Sequence, residues 1–287
     1  MPSVRQIKRR IRSVENTAKI TKAMSMIAAS KMRRTQEAAL KARPYSNHLQ
    51  QLLSDLAAQP FDEEHTHPLL QRRNVEKAEI IVITPDRGLT GGLNSNINRT
   101  VGQFLADQQS IETSVVAVGK KGRDFMNRTR QNIKAVFTDI GDRPSMEDVR
   151  AIATIVNNGY SNSETDAVYL AYAEFVSTVS QKPIITPLLP VVPAKLETSQ
   201  SVGYIYEPNT QEVLSELLPR FVEMKIYQAV LEATASEQSA RMVAMRNATD
   251  NASQMVDELT LVMNKARQES ITTELLDIVS GAAAVEA

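Results

Sequence analysis

The sequence of 287 residues contains no cysteine, and its two terminal segments have very few of the residues that break helices. Without cysteine the chain cannot hold a disulfide framework, a thiolate nucleophile, a cysteine-ligated metal or a dithiol switch. It also lacks a run of 18 apolar residues, and no apolar signal-peptide stretch follows its basic N-terminus. We therefore expect a soluble intracellular protein, without a targeting segment, that meets a membrane only through partners.

The overall charge balance conceals an asymmetry between the two ends. Lys plus Arg and Asp plus Glu each number 33, so the chain as a whole has no excess charge to attract nucleic acid or an anionic membrane. Five Lys and seven Arg against two Glu nevertheless give residues 1–43 a formal charge of +10. Six basic and twelve acidic residues give residues 208–287 a charge of −6. The first segment is basic and the last is acidic.

Residues 1–58 are predicted to form a long N-terminal helix. They contain no glycine, and apolar residues recur three and four positions apart from Val4 to Ala18. This spacing makes a narrow apolar seam rather than a broad buried face. Pro44 predicts a break or kink near Arg43, because proline lacks a backbone donor and clashes with the preceding turn.

Residues 208–287 are predicted to form a second long helix. Pro208 suits a first helical turn, with Asn209 or Thr210 and the acidic Glu212 beside it, and no glycine follows before Gly281. A helix of about 70 residues is roughly 100 Å long at 1.5 Å per residue, wider than a compact domain of this size. The helix must therefore project, and its apolar seam needs a partner.

The opposite charges of the two terminal helices predict that they pair with each other. The pairing is antiparallel if the middle of the chain forms a domain at one end, because both helices then leave from that domain. Small residues in both, such as Ala28 and Ala252, allow close approach. An ordinary helical bundle is the alternative, but it requires further amphipathic helices that the middle of the chain does not supply in sufficient length.

Residues 75–195 are predicted to form an α/β domain, reached through a linker at 59–74. Short β-branched runs such as EIIVIT and SVVAVG alternate with helix-like segments near 94–108, 119–128 and 145–158. This alternation indicates crossover units and a Rossmann-like, mostly parallel sheet. The segment PIITPLLPVVPA can add a last strand at the edge, where proline is tolerated.

The stretch EIIVITPDRGLTGGLNSNIN, residues 79–98, has the strand, glycine-rich turn and helix start of a phosphate-binding loop. It has neither the Lys-Ser/Thr pair of a Walker A loop nor a G-x-G-x-x-G fingerprint, and Asp86 adds a negative charge. Arg87 and the helix N-terminus after Asn94 leave nucleotide binding open as an alternative. The favoured interpretation is a tight turn whose glycines supply positive φ, with Asn94 or Ser95 capping the helix.

Other site chemistries have little support in the sequence. His65 and His67 lie beside the acidic residues 62–64, but no third ligand is evident and a solvated linker explains the cluster equally well. No histidine accompanies a nucleophile motif. The basic run KRRIR can contact phosphates, yet its acidic complement lies in the same chain. We predict no catalytic residue, no cofactor and no metal, and we keep nucleic-acid binding as a weak alternative.

Four stretches resemble the γ subunit of F-type ATP synthases, the central rotor shaft. They are ITKAMSMIAASKM at 20–32, TPDRGLTGGLNSN at 84–96, SEQSARMVAMRNATDNA at 236–252 and NKARQESITTELLDIVSGA at 264–282. The resemblance covers essentially the full length, and long motifs at both termini are more specific than a glycine pattern. It implies an antiparallel coiled coil of the terminal helices and an α/β domain that performs no nucleotide chemistry.

The resemblance implies a mechanical function for the chain. One copy of the shaft would enter a catalytic head of three α and three β subunits, while the α/β domain and the lower coil would sit with ε on the membrane ring of c subunits. Rotation would couple proton or sodium flow to ATP synthesis through different contacts with each β subunit. The chain would then be a non-catalytic peripheral membrane protein on the cytoplasmic face of a bacterial cell membrane, in contact with the membrane only through the c-ring.

Motif positions imply two sets of contact residues. Polar contacts with the catalytic head are assigned to Met24, Arg241, Arg267, Gln268 and Thr272. The foot that meets the c-ring and ε is assigned to Arg43, Tyr45, Tyr204, Tyr206 and Glu207. The apolar tail at 275–285 corresponds to the tip that turns inside the head. Without the resemblance, the two arginines would be interpreted as part of an exposed coiled-coil face.

Two other hypotheses stay distinct from the rotor. A nucleotide-dependent α/β enzyme would bind and turn over a nucleotide by itself, and a coiled-coil scaffold would tolerate loss of its C-terminal tail. Photosynthetic relatives often carry an inserted regulatory segment, which in chloroplasts contains a cysteine pair. Here residues 193–203 form a short stretch, and the chain has no cysteine. We predict no thiol regulation.

Overall fold

Two long helices flank an α/β segment along the chain. The computed structural model describes residues 3–57, 67–108, 110–192, 207 and 209–286. Helix α1 spans Val4–Ala57, and the last helix, α5, spans Thr210–Glu286; they contain 54 and 77 residues. At 1.5 Å per residue, the last helix is about 115 Å long. The two long terminal helices of the predicted fold are confirmed.

The described segment between the long helices alternates strands and shorter helices. The strands are Lys77–Ile83 (β1), Glu112–Val118 (β2), Asn132–Phe137 (β3), Ala167–Phe175 (β4) and Gln181–Leu189 (β5). The helices are Leu93–Asp107 (α2), Lys120–Arg128 (α3) and Met146–Ser161 (α4). A 3-10 turn at Pro68–Leu70 precedes β1. None of the helices in the described ranges is both long and apolar enough to cross a membrane.

The five strands form one sheet in the order β3-β2-β1-β4-β5. Strands β1 to β4 are parallel, and β5 runs antiparallel to β4. The predicted Rossmann-like, mostly parallel sheet is therefore confirmed. The edge strand β5 contains Pro183 and Pro187, and an edge is where the missing backbone donors are tolerated.

Apolar side chains cover both faces of the sheet. On one face, Ile80 and Val82 of β1 pack in a cluster with residues of α2 and α3. On the other, Ile81 and Ile83 pack in a larger cluster with α4 and with parts of α1 and α5. Successive side chains of a strand point to opposite faces, so the continuous apolar run of β1 is what a strand buried on both sides requires.

Side-chain caps fix where two of the helices begin. Ser145 and Asp148 form a reciprocal capping box at α4, and these hydrogen bonds lower the pKa of Asp148. At α5 the side-chain Oδ1 of Asn209 accepts a hydrogen bond from the backbone N–H of Glu212 at 2.8 Å. The predicted helix start near Asn209 and Thr210 is confirmed, and Pro208 lies outside the described residues.

The chain divides into two compact units. The coil unit comprises Met1–Ile27 and Met242–Ala287, and the body unit comprises Ala28–Arg241. In the coil unit the hydroxyl groups of Thr21 and Thr249 lie 2.7 Å apart, and Ser25 donates to the carbonyl oxygen of Met242 at 3.2 Å. The later residue of α1, Ser25, contacts the earlier residue of α5, Met242, so the two helices run in opposite directions. The predicted antiparallel pairing is confirmed.

The contacts that pair the helices are not the ones that the charge asymmetry suggested. Among residues 3–27 and 242–280, no ion pair joins α1 to α5. The basic side chains of α1 in this unit are exposed, whereas Ile7, Thr21, Met245 and Ala252 are buried. Small, hydroxylated and apolar residues form the seam, and the cations of α1 face solvent.

The predicted break of the helix near Pro44 is wrong, because Pro44 does not end α1. The helix continues to Ala57 with Pro44 inside it. A proline in a helix removes one hydrogen bond to the carbonyl group four residues earlier, which here belongs to Leu40. The Leu40 side chain is exposed, so water can reach this turn. Leu49, Leu53 and Leu56 are buried in the larger core cluster beyond the proline and anchor the rest of the helix.

A tight strand-to-helix junction lies at the carboxyl end of the sheet. The Thr84 hydroxyl donates to the carbonyl oxygen of Val118 at 3.2 Å and accepts from the backbone N–H of Gly122 at 2.8 Å. Gly119 between them has φ of +97°, and a Cβ there would lie 1.8 Å from the Thr84 carbonyl oxygen. The backbone of β1 and the start of α3 therefore approach too closely for any side chain at position 119.

An ion pair is buried at the opposite, amino end of the sheet. The Glu79 side chain is 0% exposed, and one of its carboxylate oxygens accepts from Lys134 at 2.9 Å; the Lys134 side chain is 28% exposed. Its other oxygen is buried without a hydrogen-bond partner. Burial raises the pKa of Glu79, whereas the hydrogen bond and charge of Lys134 oppose this rise. The charge and hydrogen bond of Lys134 thus offset part of the desolvation cost of the buried Glu79 carboxylate.

We predict that Lys134→Met destabilises the chain by about 3 kcal/mol at neutral pH, because Glu79 is left buried without its cation. The loss of unfolding free energy caused by Lys134→Met should become smaller as the pH is lowered toward about 5. A carboxyl with a raised folded-state pKa binds its proton more tightly when folded, so protonation favours the folded state. Urea unfolding at both pH values measures this. The exposed Lys121→Met is the matched control, and an equal loss from Lys134→Met at both pH values would contradict the prediction.

We predict that Gly119→Ala is far more destabilising than Gly141→Ala. Both glycines have positive φ, +97° and +81°, but a Cβ at Gly141 meets no atom within 4 Å. The substitution at Gly141 should cost only backbone strain, about 1–2 kcal/mol. That at Gly119 adds the clash with Thr84 and should exceed about 4 kcal/mol. Urea unfolding and soluble yield compare the two, and similar losses would show that the junction is not tight.

Candidate functional site

The glycine-rich turn joins β1 to α2 at the carboxyl end of the sheet. Of its three glycines only Gly91 has positive φ, at +57°, and Leu89 takes the other left-handed position at +64°. The prediction that the turn uses a glycine with positive φ is confirmed at Gly91, whereas Gly88 and Gly92 do not adopt it. Leu89 is exposed, so its strained backbone places an apolar side chain in solvent.

The predicted helix cap at Asn94 or Ser95 is also wrong. Helix α2 begins at Leu93, with Gly92 at the N-cap and no side-chain cap. The Asn94 amide instead donates to the Thr90 hydroxyl at 3.2 Å, one turn back. A glycine with no side chain serves as the cap because the chain enters the helix already in a near-helical conformation, with φ of −84°.

Two of the backbone donors at this edge of the sheet are taken by Asp86. Its carboxylate accepts from the backbone N–H of Lys120, the first residue of α3, and from that of Asp139, both at 2.9 Å. A phosphate at this position would have to displace a carboxylate that joins three loops. The Asp86 carboxylate thus serves as an internal anion in place of a ligand.

The cavity at this edge is small and acidic. Its volume is about 50 Å³, and its lining includes Asp86, Asp139 and Glu237. Pockets that bind nucleotides and drug-sized ligands are typically about 300–1,000 Å³. Both the volume and the charge argue against a nucleotide site in this cavity, whose lining includes none of the residues 87–94.

The described part of the histidine cluster has a structural role. The His67 Nδ1 accepts from the backbone N–H of Leu69 at 3.2 Å and caps the 3-10 turn, and burial lowers the pKa of His67. His65 and the acidic residues 62–64 lie outside the described residues. Within the described ranges, no group of three His, Cys, Asp or Glu residues could hold a metal ion.

Arg241 lies at the end of the body unit and is already paired. Its guanidinium donates to Glu237, one helical turn earlier, at 2.6 Å and reaches the Gly88 carbonyl oxygen at 3.5 Å. The two side chains are only 12% and 19% exposed. The interpretation of Arg241 as part of an exposed face is therefore wrong.

The other residues assigned to head contacts lie in the coil unit. Arg267, Gln268 and Thr272 are exposed, and the Thr272 hydroxyl donates to the Gln268 carbonyl oxygen at 2.9 Å. Gln268 and Thr272 are four residues apart and therefore lie on one side of α5. Met24 on α1 is partly buried. The interpretation of an exposed face thus holds for Arg267.

The assigned foot residues are only partly described. Tyr45 is exposed in the second half of α1, and Glu207 is exposed just before α5. The backbone of Arg43 belongs to α1. Tyr204 and Tyr206 lie outside the described residues. The assignment of this set as one contact surface therefore stays a prediction.

Two polar residues of this region were missed by sequence reasoning. Asp142, in the loop between β3 and α4, accepts hydrogen bonds from Lys31 of α1 and from Gln238 of α5. No local sequence pattern predicts these contacts, because Lys31 and Gln238 are each about a hundred residues from Asp142 along the chain. Glu237 could have been found, since its four-residue spacing from Arg241 is the usual signal of an ion pair on one helix.

Sequence comparisons show close relatives over the full chain. A family model described as ATP synthase matches residues 3–285. The chain is 56% identical over 285 residues to the ATP synthase gamma chain of Dehalococcoides mccartyi, with 99% of this chain and 100% of the relative covered. It is 50% identical over 287 residues to the ATP synthase gamma chain of a Roseiflexus species, with 99% of both chains covered.

Solved structures show the same architecture. A chain from the central stalk and c-ring structure of the Tetrahymena thermophila mitochondrial ATP synthase matches with a TM-score of 0.62 and 26% identity, over 80% of this chain and 99% of that one. A chain of the Euglena gracilis mitochondrial ATP synthase matches with a TM-score of 0.68 over 98% of this chain and 94% of that one. The second likeness, at 21% identity, concerns the fold alone.

Proposed function

The chain belongs to the ATP synthase gamma-chain family, and on this premise we propose that it is the central-stalk rotor subunit of an F-type ATP synthase. Ion flow through a membrane c-ring turns the paired helices inside a head of three α and three β subunits. The shaft presents different contacts to each β subunit, and differential contact energy moves the catalytic sites between conformations. The chain itself catalyses nothing.

The observation that carries this proposal is the uncovered end of α5. Residues 267–280 are all exposed. They include apolar side chains that are 49% to 67% exposed: Ile271, Leu275, Leu276, Ile278 and Val279. A contiguous apolar surface of this kind marks a site of interaction with another protein. A shaft that ends inside a surrounding head accounts for both the length of the helix and its apolar end.

We further propose that different segments of the chain have different roles. The helical segments 1–58 and 208–287 form the shaft, and the α/β domain at 75–195 lies at the foot. The foot residues Arg43, Tyr45, Tyr204, Tyr206 and Glu207 meet the c-ring and ε. One copy per complex is attached in this way to the cytoplasmic face of a bacterial membrane, with the ring providing the only membrane contact.

The direct test of this function is reconstitution. The chain is expressed with candidate α and β subunits, the assembly is isolated, and its ATPase activity is compared with that of α and β alone. The proposal predicts a stable complex with three copies each of α and β, whose activity depends on the chain. A chain that stays alone and hydrolyses nucleotide by itself would reject the rotor in favour of the nucleotide-enzyme hypothesis.

We predict that the double substitution of Gln268→Ala and Thr272→Ala weakens association with the head about thirtyfold, because two lost hydrogen bonds at about 1 kcal/mol each cost about 2 kcal/mol. The matched control is Glu269→Ala with Thr273→Ala, one position further around α5. Thr273 makes the same local bond to the Glu269 carbonyl oxygen, at 2.9 Å, as Thr272 makes to that of Gln268. Titration of labelled head subcomplex with the full-length variants gives the two affinities.

All four of these side chains are exposed, so neither double variant should alter the stability of the free chain by more than about 0.5 kcal/mol. The prediction requires ATP-driven proton pumping by the assembled complex to fall with the first pair and to persist with the second. Equal weakening by both pairs would show that the contact is not directional and would reject the assignment of Gln268 and Thr272.

A further inference from the structure

Among the described residues of the body unit, the guanidinium of Arg241 has a single close carboxylate partner. It donates to Glu237 at 2.6 Å, and the neighbouring acids are occupied elsewhere. Asp142 is held by Lys31 and Gln238, and Asp86 accepts two backbone N–H groups. Glu237 is therefore the acid that neutralises Arg241 while no other protein is bound.

Glu237 in turn depends on Arg241. Burial raises the pKa of Glu237, and the nearby charges of Asp142 and Asp86 raise it further, whereas the charge and hydrogen bond of Arg241 lower it. A mostly buried carboxylate that loses its cation carries a large desolvation cost. Moving the Arg241 guanidinium to another carboxylate is thus opposed by the loss of this pair.

The proposed head contact of Arg241 and its observed pairing compete for one guanidinium. We infer that Glu237 is the resting partner of Arg241, which holds the guanidinium when no acceptor of the head faces it and must release it for contact. This inference rests on the proposed rotor function. A shaft that passes three successive β subunits must make and break the same contact repeatedly, and an internal partner keeps the charge satisfied between contacts.

Competition sets the size of the expected effect. When the binding-competent state is populated only in part, the apparent dissociation constant rises by the inverse of that fraction. If Glu237 holds the guanidinium in about nine molecules of ten, removal of its charge strengthens the head contact about tenfold. Glu237 acts here through Arg241 and is a positioning residue.

The test is a double-mutant cycle with full-length chains and a purified head subcomplex of α and β subunits. Glu237→Gln should strengthen association about tenfold, Arg241→Gln should weaken it, and Glu237→Gln should change nothing when Arg241→Gln is already present. Glu237→Asp keeps a carboxylate on the same turn and should stay within about twofold of the unaltered chain. A merely structural role would weaken association with Glu237→Gln in both backgrounds, and that result would overturn the inference.

A second cycle, by urea unfolding of the same four full-length chains without the head, tests the internal pair itself. The Glu237→Gln and Arg241→Gln effects on stability should be non-additive, and additive effects would overturn the inference. The two levels of failure are distinguishable. If Arg241→Gln leaves the affinity for the head unchanged, the resting-partner role fails while the rotor function stands. If the unaltered chain does not associate with the head at all, the rotor function fails as well.

Discussion

A helix of 77 residues cannot cover its own apolar seam, and the organisation of the coil unit follows from this constraint. The antiparallel partner α1 covers part of the seam through small and hydroxylated residues such as Thr21. The end of α5 from 267 to 280 stays uncovered. Its exposed apolar side chains form the surface through which the proposed shaft would contact other proteins.

The body unit has a mostly parallel α/β sheet, an architecture that many nucleotide-binding proteins share. In parallel α/β sheets, ligands usually bind beyond the carboxyl ends of the strands. Here Asp86 takes the backbone donors at that edge, and the junction at Thr84 and Gly119 brings β1 and α3 into close contact. The same interactions that would position a ligand instead hold the loops to one another.

Charges are handled differently in the two units. In the body unit, acids and bases are brought together by the fold, as in the Glu79–Lys134 pair and in the contacts of Asp142 with Lys31 and Gln238. In the coil unit the basic side chains of α1 face solvent. Buried charges require partners within the chain, whereas exposed charges remain available to surfaces that approach from outside.

Repeating patterns determined the architecture from the sequence alone. Helix length, the β–α alternation and the edge strand with Pro183 and Pro187 were predictable, because each depends on the spacing of residues close along the chain. The family resemblance was carried by long local motifs for the same reason. Polar partners far apart in sequence were not predictable: the opposite charges of the terminal segments suggested ion pairs, but none joins the described helices in the coil unit.

Only the tertiary structure decided that Pro44 stays within a continuous helix and that Asp142 is bound by both Lys31 and Gln238. Each outcome depends on which groups distant in sequence are brought within hydrogen-bonding or packing distance. Periodicity determines which face of an element is apolar, but it does not specify what that face meets.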